Sequence, residues 1–593
     1  MKPYIAQIRS NLRLMGRDRS VLFFSYLFPL IFFFAFAQSY HARESAAIMA
    51  QVIAMVLIIG ILGNGFFGAG MRAVQDRETN VLRRFKVAPV GPSPIIVASM
   101  VSGLVAFLPS VFLFFFFGTA MYHMPLPRNL LSVIVFVCIG VLAFRSMGMI
   151  IAAVANSAQE AGILVQILYL PMLFISGATF PLSMMPRWMQ NIAEFLPATY
   201  LYQGIQSMML GGESLARNLV AVGALIVALC VALFVGTKLF RWEKEEKISN
   251  QSKLWILGVL SPFLILGLYQ AKTQQNVEKA KILARNAARS GSVLFQNAKI
   301  FVGDGTVIPN GSVLVRNQKI AQVFTTPPED PKSLNAEVVD AAGKTLLPGL
   351  IDMQVHLDAS GGVHSDSGIK RRLAAYLYSG ITAVRSTGDP PEIVSKLAQA
   401  VNSGAYLGAE VFTGGSNTAY DPGLSALEAN IDLETGNPAP LNRSLLQQAA
   451  PAGLLKSTRV FLERQKRTTP NLLPLERAKQ NLLAACKAGL LLVTGSGAGS
   501  MLVIHGPTVQ NEMELWVKAG IPPAVALKAA TFNAATALHA DNRIGLIREG
   551  HDATLILLDG DPLQDIANTE HIYLVMFRGE RINRPDLFNQ DKQ

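Results

Sequence analysis

Leu347-Pro-Gly-Leu-Ile-Asp-Met-Gln-Val-His356 is an apolar run that passes into a polar tip, with a histidine where the strand would end. In a parallel β/α barrel the C-terminal ends of the strands carry the chemistry. Side chains two apart on a strand point the same way, so a metal-ligand pair on this strand would occupy positions 354 and 356. They hold Gln354 and His356, of which only the histidine is a good ligand.

Short β-type runs and turns flank this stretch. Before it come Val293–Phe295, Ala298–Val302, a Gly303-Asp-Gly305 turn, Ser312–Arg316 and Lys319–Val323, and near the C-terminus Ala553–Leu558 and Ile572–Phe577. Between them strands alternate with helices: Gly349–Leu357, helix Ile369–Ser379, Thr382–Arg385 and helix Pro391–Asn402. Helix Leu475–Ala488, strand Leu490–Thr494 and helices Val509–Ala519 and Pro522–Ala537 follow. This predicts an α/β unit, a β/α barrel (346–540) inside a split β-sandwich (291–345 plus 541–585). Leu346–Ala540 spans about 195 residues against roughly 250 in an intact barrel. Thr413–Pro470 lacks a strand pattern, so about two βα units are expected to be missing.

The front of the chain is of another kind. The protein has 593 residues, 51% hydrophobic, and a mean hydropathy of +0.35, too apolar for an ordinary soluble chain. Apolar runs of spanning length recur at Val21–Ala37, Ala46–Gly70, Ile95–Ala120, Leu130–Ala155, Ala161–Leu182 and Leu219–Lys238. They predict an all-α polytopic membrane domain over 1–242, in contact with the lipid bilayer. From Ala271 onward 32 Lys and Arg stand against 30 Asp and Glu, which leaves 20 against 10 for the first 270 residues. Positive charge beside membrane spans sets orientation, which explains the net +12 without nucleic acid. The basic N-terminus, Arg72–Lys86 and Lys238–Lys253 then lie on the cytoplasmic side. The three cysteines offer neither a disulfide framework nor a cysteine metal site.

Residues 243–290 join the two parts: a basic segment, a seventh apolar run at 254–269, and a polar helical linker, Gln270–Ser290, with no packing face. The seventh run either crosses, placing the rest of the chain outside the cytoplasm, or lies in the interface. Arg145, inside the fourth span, reads as a substrate or gating contact or as an interhelical hydrogen bond.

Two segments of the membrane part form an ordered pair. Gln75-Asp-Arg-Glu-Thr-Asn-Val-Leu-Arg-Arg-Phe-Lys-Val-Ala-Pro89 is amphipathic, and Pro171…Ser176-Gly177…Phe180-Pro181…Pro186-Arg-Trp188…Leu196-Pro197 breaks a span near its outer end. Together they resemble the permease subunits of type-2 ABC exporters. The resemblance implies a coupling segment of Glu78, Leu82, Arg83, Arg84 and Pro89, with Asn80 at a usual glycine. It also implies a separate ABC ATPase subunit, a homodimer, and a multi-pass place in a bacterial-type inner membrane. Gly343-Lys-Thr345 is no phosphate-binding loop, because the first loop glycine is replaced by Val338.

In the second half, Ala341–Met353, Gly380–Arg385, His505-Gly506, Ala529–Ala535, Arg543–Gly550 and Asp552–Ile556 resemble the amidohydrolase superfamily, nearest its imidazolonepropionase-like and prolidase-like branches. The likeness implies a degenerate or truncated TIM-like barrel. The superfamily's site would use a divalent metal such as zinc, held by paired histidines, two further histidines and an aspartate. Gln354 stands at the first histidine and Gly497 at the aspartate, and no histidine lies between His364 and His505. His356 remains, with Asp352, Asp358 and His364 near enough in sequence for a residual site. The expectation is a permease carrying a catalytically incomplete domain, a pseudoenzyme. The alternative is a membrane-anchored metal-dependent hydrolase of non-peptide carbon–nitrogen bonds.

Overall fold

A computed structural model describes residues 2–17, 26–40, 42, 46–86, 91–182, 185–243, 245–246, 255–273, 275–358, 366–414, 419–465, 467–500 and 502–590. The chain divides into two compact units, residues 1–287 and 288–592.

The first unit is helical. An amphipathic helix α1 (Lys2–Arg17) precedes α2 (Phe28–Ser39), and Val21–Ser25 of the first expected span lie outside the described residues. Five helices among the described residues are long and apolar enough to cross a bilayer. They are α3 (Ala46–Glu78), α5 (Pro92–Tyr122), α6 (Leu130–Val154), α7 (Ala158–Ile175) and α10, which extends the 3₁₀ turn from Leu215 through Leu219–Lys238. The short α4 (Val81–Lys86) follows α3. α7 ends before Gly177, whose φ of +94° only glycine takes readily, and α8 (Arg187–Ala193) and the buried α9 (Pro197–Leu210) follow. Where α3 meets α6 the backbones nearly touch. A Cβ on Gly148 would stand 2.1 Å from the Gly65 oxygen, so small residues set this crossing. Within α3, Phe66–Met71 widen into a π-turn, a feature frequent at functional places.

The joint departs from expectation. The seventh apolar run is a longer helix, α11 (Trp255–Thr273), about 28 Å at 1.5 Å per residue. The linker is helix α12 (Gln275–Arg289), and it has a packing face: Val277, Leu283 and Ala287 are buried. Asn276 donates to the Glu194 carboxylate at 2.5 Å, and Lys279 pairs with Glu213 at 2.8 Å. The inward positions recur at helical spacing but are partly alanines, so a search for bulky apolar residues passes over them.

The second unit begins with β1 (Ser292–Phe301), β2 (Val307–Arg316), β3 (Lys319–Phe324), β4 (Glu337–Asp340) and β5 (Thr345–Pro348). With β9 (Leu555–Leu558), β10 (Ile572–Phe577) and β11 (Glu580–Arg581) they form one eight-stranded sheet. β5 pairs antiparallel with β9, joining the early and late parts of the sequence. β1 pairs first with β4 and then with β5, passing from one to the other around Asn297, where φ is +62°. Its core holds Phe295, Ile300, Leu346, Leu557 and Met576.

The opening stretch divides at Gly349, between β5 and β6 (Leu350–Val355). A Cβ there would lie 2.1 Å from Thr382 Oγ1, so glycine lets the chain pass straight from sheet to barrel. β6, β7 (Ile381–Ser386) and β8 (Glu410–Phe412) pair in parallel, with α13 (Asp366–Tyr378) and α14 (Pro391–Ser403) between them. The expected strand Leu490–Thr494 is not a regular strand. Leu492 bridges Tyr420, Ala498 bridges Val355, and Thr494 O accepts from Met353 N–H at 2.8 Å. Among the described residues three regular strands form this parallel sheet, where an intact barrel has eight. Part of Thr413–Pro470 is helical, as α15 (Leu424–Thr435), α16 (Ser444–Ala449) and α17 (Ala452–Arg464). α18 (Leu473–Lys487), α19 (Thr508–Lys518), α20 (Pro523–Lys528) and α21 (Ala534–Ala537) complete the unit.

An ion-pair network ties barrel to sheet. Arg543 meets both oxygens of Glu410, at 2.7 and 3.1 Å, and Asp552 at 2.7 Å. Arg578 also reaches Glu410, at 3.0 Å.

Candidate functional site

At the tip of β6 the backbone is held on both sides. His356 N–H donates to the Ala498 carbonyl at 2.7 Å, and Gly497 N–H to the Gln354 carbonyl at 2.9 Å. The His356 ring gives Nδ1 to the Thr387 carbonyl at 2.6 Å, which favours the tautomer that leaves Nε2 as the acceptor. His505 donates from Nε2 to the His356 carbonyl at 3.0 Å and packs edge-on against Tyr376. Burial, with Arg372 nearby, holds the His505 pKa down at about 4, so it is a neutral supporting residue at physiological pH.

The carboxylates here serve the fold. Asp352 accepts from Ser496 Oγ at 2.6 Å, Thr508 Oγ at 2.7 Å and the Ser496 and Gln354 amides, tying β6 to the start of α19. Burial raises its pKa in spite of those bonds. Asp358 lies on the loop that Asp389 organises, donating its N–H to Asp389 at 3.0 Å. His364 lies outside the described residues.

Two acids not singled out from the sequence complete the picture. Asp421 accepts from the Gly423 and Gly495 amides, both at 3.1 Å. A Cβ on Gly495 would stand 1.7 Å from Asp421 Oδ2 and 2.8 Å from Gln354 Cβ, so the carboxylate sits directly beside Gln354. Glu512 accepts from the Leu424 and Ser425 amides at 2.9 and 2.6 Å, capping α15, and from the Trp516 indole at 2.9 Å. Burial, then Glu512 and Asp352, push the Asp421 pKa well above the carboxylate range. Burial also raises that of Glu512. The local signals were an Asp-Pro-Gly turn at 421–423 and a Glu–Trp pair four apart on a helix.

This mouth fits a metal poorly. Among the described residues no three of His, Cys, Asp and Glu gather closely enough to hold an ion. Gly497 has φ +68°, and a Cβ there would stand 3.0 Å from Ala426 Cβ, so the position resists the family's aspartate.

In the first unit the proposed coupling segment has two faces. Glu78 accepts from the Ala158 amide at 2.7 Å, at the start of α7, and Leu82 is buried. Arg83 and Arg84 are exposed, Arg83 reaching Glu243 at 3.7 Å, and Pro89 lies outside the described residues. Arg77 donates to the carbonyls of Ala152 and Ala155 at 2.7 and 2.5 Å. Arg241 also reaches Ala155 and meets Asn156 Oδ1 at 2.8 Å. Both guanidiniums thus sit at the negative end of α6. Arg145, deeper in α6, donates to Asn64 and Ser99.

Residues 4–210 match the ABC-2 type transporter family, and residues 454–582 match the Amidohydrolase family. The transport permease YvfS of Bacillus subtilis (strain 168) is 22% identical over 247 residues, covering 41% of this chain and 97% of that protein. A dihydroorotase of Bacillus cytotoxicus is 30% identical over 120 residues, 19% of this chain and 27% of that enzyme. The structure of molinate hydrolase is 18% identical, covers 50% of this chain and 95% of its own, and superposes with a TM-score of 0.37. The chain joins an ABC-2 type transporter permease domain at its N-terminal side to an amidohydrolase domain at its C-terminal side.

Proposed function

We propose that the protein is the membrane subunit of an ABC-type exporter, working as a homodimer with a separate ATPase subunit. In this reading the amidohydrolase domain lies outside the cytoplasm and does not run the family's metal-dependent hydrolysis. The two faces of the coupling segment carry the reading. Glu78 and Leu82 anchor it to α7 and the helical core, while the exposed Arg83 and Arg84 offer positive charge to an acidic partner surface. Force from the ATPase would pass along this segment into α7 and, through Arg77, into the end of α6. Reversing the charges, Arg83→Glu with Arg84→Glu, should leave the protein folded in the membrane while substrate-stimulated ATP hydrolysis by the complex falls at least about tenfold. Unchanged stimulation would refute the coupling role.

The His356 tautomer, with Nδ1 bonded and Nε2 an acceptor, favours a second reading, a membrane-anchored hydrolase with a residual metal site. The two readings separate on metal content. Mass spectrometry of the purified full chain should find no stoichiometric zinc or manganese. One tightly held ion, lost on His356→Ala, would instead establish the hydrolase.

A further inference from the structure

Arg145 is 3% exposed. Its Nη1 donates to the Asn64 side-chain and backbone oxygens, at 2.7 and 3.1 Å, and Nη2 to Ser99 Oγ at 3.0 Å. Nε has no partner. The guanidinium is not there by accident of packing. A Cβ on Gly103 would stand 2.0 Å from its Cζ, so α5 leaves a notch for it, and the π-turn of α3 brings Gly68 alongside. Arg77 and Arg241 are buried as well, but they lie against the negative end of a helix. Among the described residues, the hydrogen bonds of Arg145 go to neutral groups, on Asn64 and Ser99. A buried charge without a counter-charge is strongly unfavourable.

The guanidinium borders a cavity of about 160 Å³. That is ample for a multi-atom polar group, since one water needs about 10–15 Å³. Arg72 and Asp76 share the wall with Arg145, which leaves one net positive charge among them. α1 lies along it, with Gln7, Ser10, Asn11 and Leu14 on the wall. Gln7, Ser10 and Asn11 are neighbours at i, i+3 and i+4 on one helical face.

We propose that this cavity binds a phosphate-bearing anion. Arg145 and Arg72 would supply the charge, and Gln7, Asn11 and Ser99 the neutral hydrogen-bonding groups. Guanidinium groups suit the several oxygens of a phosphate better than ammonium groups do. The phosphate belongs either to a phospholipid headgroup or to a soluble phosphorylated molecule.

The test uses the full chain in lipid nanodiscs. Native mass spectrometry reads phosphatidylglycerol retained from a mixture with phosphatidylcholine. In pure phosphatidylcholine, a thermal-shift series reads protection by inorganic phosphate. The expected result is that one of the two probes binds and that Arg145→Gln weakens it at least about tenfold. Ser99→Ala and Gln7→Ala remove a donor while keeping the buried charge. They should weaken binding several-fold, and they decide the matter where Arg145→Gln does not fold. Retention of phosphatidylglycerol alone assigns a lipid headgroup, and protection by phosphate alone a soluble ligand. Absence of binding by the unaltered protein, or equal binding by it and all folded variants, overturns the proposal. No ATPase is needed, so that failure leaves the permease reading standing.

Discussion

Asp421 shows how closely a single buried carboxyl can be held beside the tip of β6. One oxygen takes two backbone amides, and the other stands beside Gln354, with Glu512 and Asp352 close enough to repel it. A carboxyl whose pKa is raised on folding stabilises the fold below its unfolded value near 4, and that contribution is lost as pH rises through the raised value. Asp421→Asn keeps the acceptor and removes the charge. It should therefore raise the midpoint of thermal unfolding relative to the unaltered protein more at pH 8 than at pH 5, followed by fluorescence of Trp516, which is buried against Glu512. Equal shifts at both pH values would mean that folding does not raise the Asp421 pKa. His505 has the opposite slope, its stabilisation being lost as pH falls from about 6.5 toward 4. That contribution is common to both proteins and cancels in the comparison. His356 and Gln354 could be placed on one strand tip from alternation alone. Asp421 and Glu512 could not, because their neighbours come from loops and helices far away in sequence.

At the scale of elements, what could be read followed from periodicity. In the second unit β1, β2, β9 and β10 lie where the short β-type runs placed them. The long apolar helices follow from length and composition. Periodicity failed in three places for three reasons. α12 hides its packing face among small residues. The segment 490–498 is bonded to β6 yet too irregular to form a ladder, so its apolar run promised a regular strand that tertiary contacts replaced by bridges. In 413–470 the Asn, Pro and Gly content signals turns, and short helices fill the spaces between them, α15 held by a Glu512 cap from another helix.

For the whole molecule, the division into a helical unit and an α/β unit was legible from hydropathy and charge alone. The side of the membrane on which the second unit stands is the reading that charge asymmetry supports, with Lys238–Lys253 basic ahead of α11. A reporter active only outside the cytoplasm, fused after Gln593, should give signal. Silence from it, with signal from a cytoplasmic reporter at the same point, would place the domain inside.

The pairing of β5 with β9 also sets a clock. Thr345 must find Leu558 before the central sheet exists, and at 5–20 residues per second the ribosome needs roughly 10–40 s to make the intervening chain. Throughout that interval the barrel strands and their helices are synthesised without the sheet that closes over them. The second unit is therefore committed to folding late, after its last strands emerge, and a chain cut short before β9 leaves apolar surface uncovered for chaperones and proteases to find.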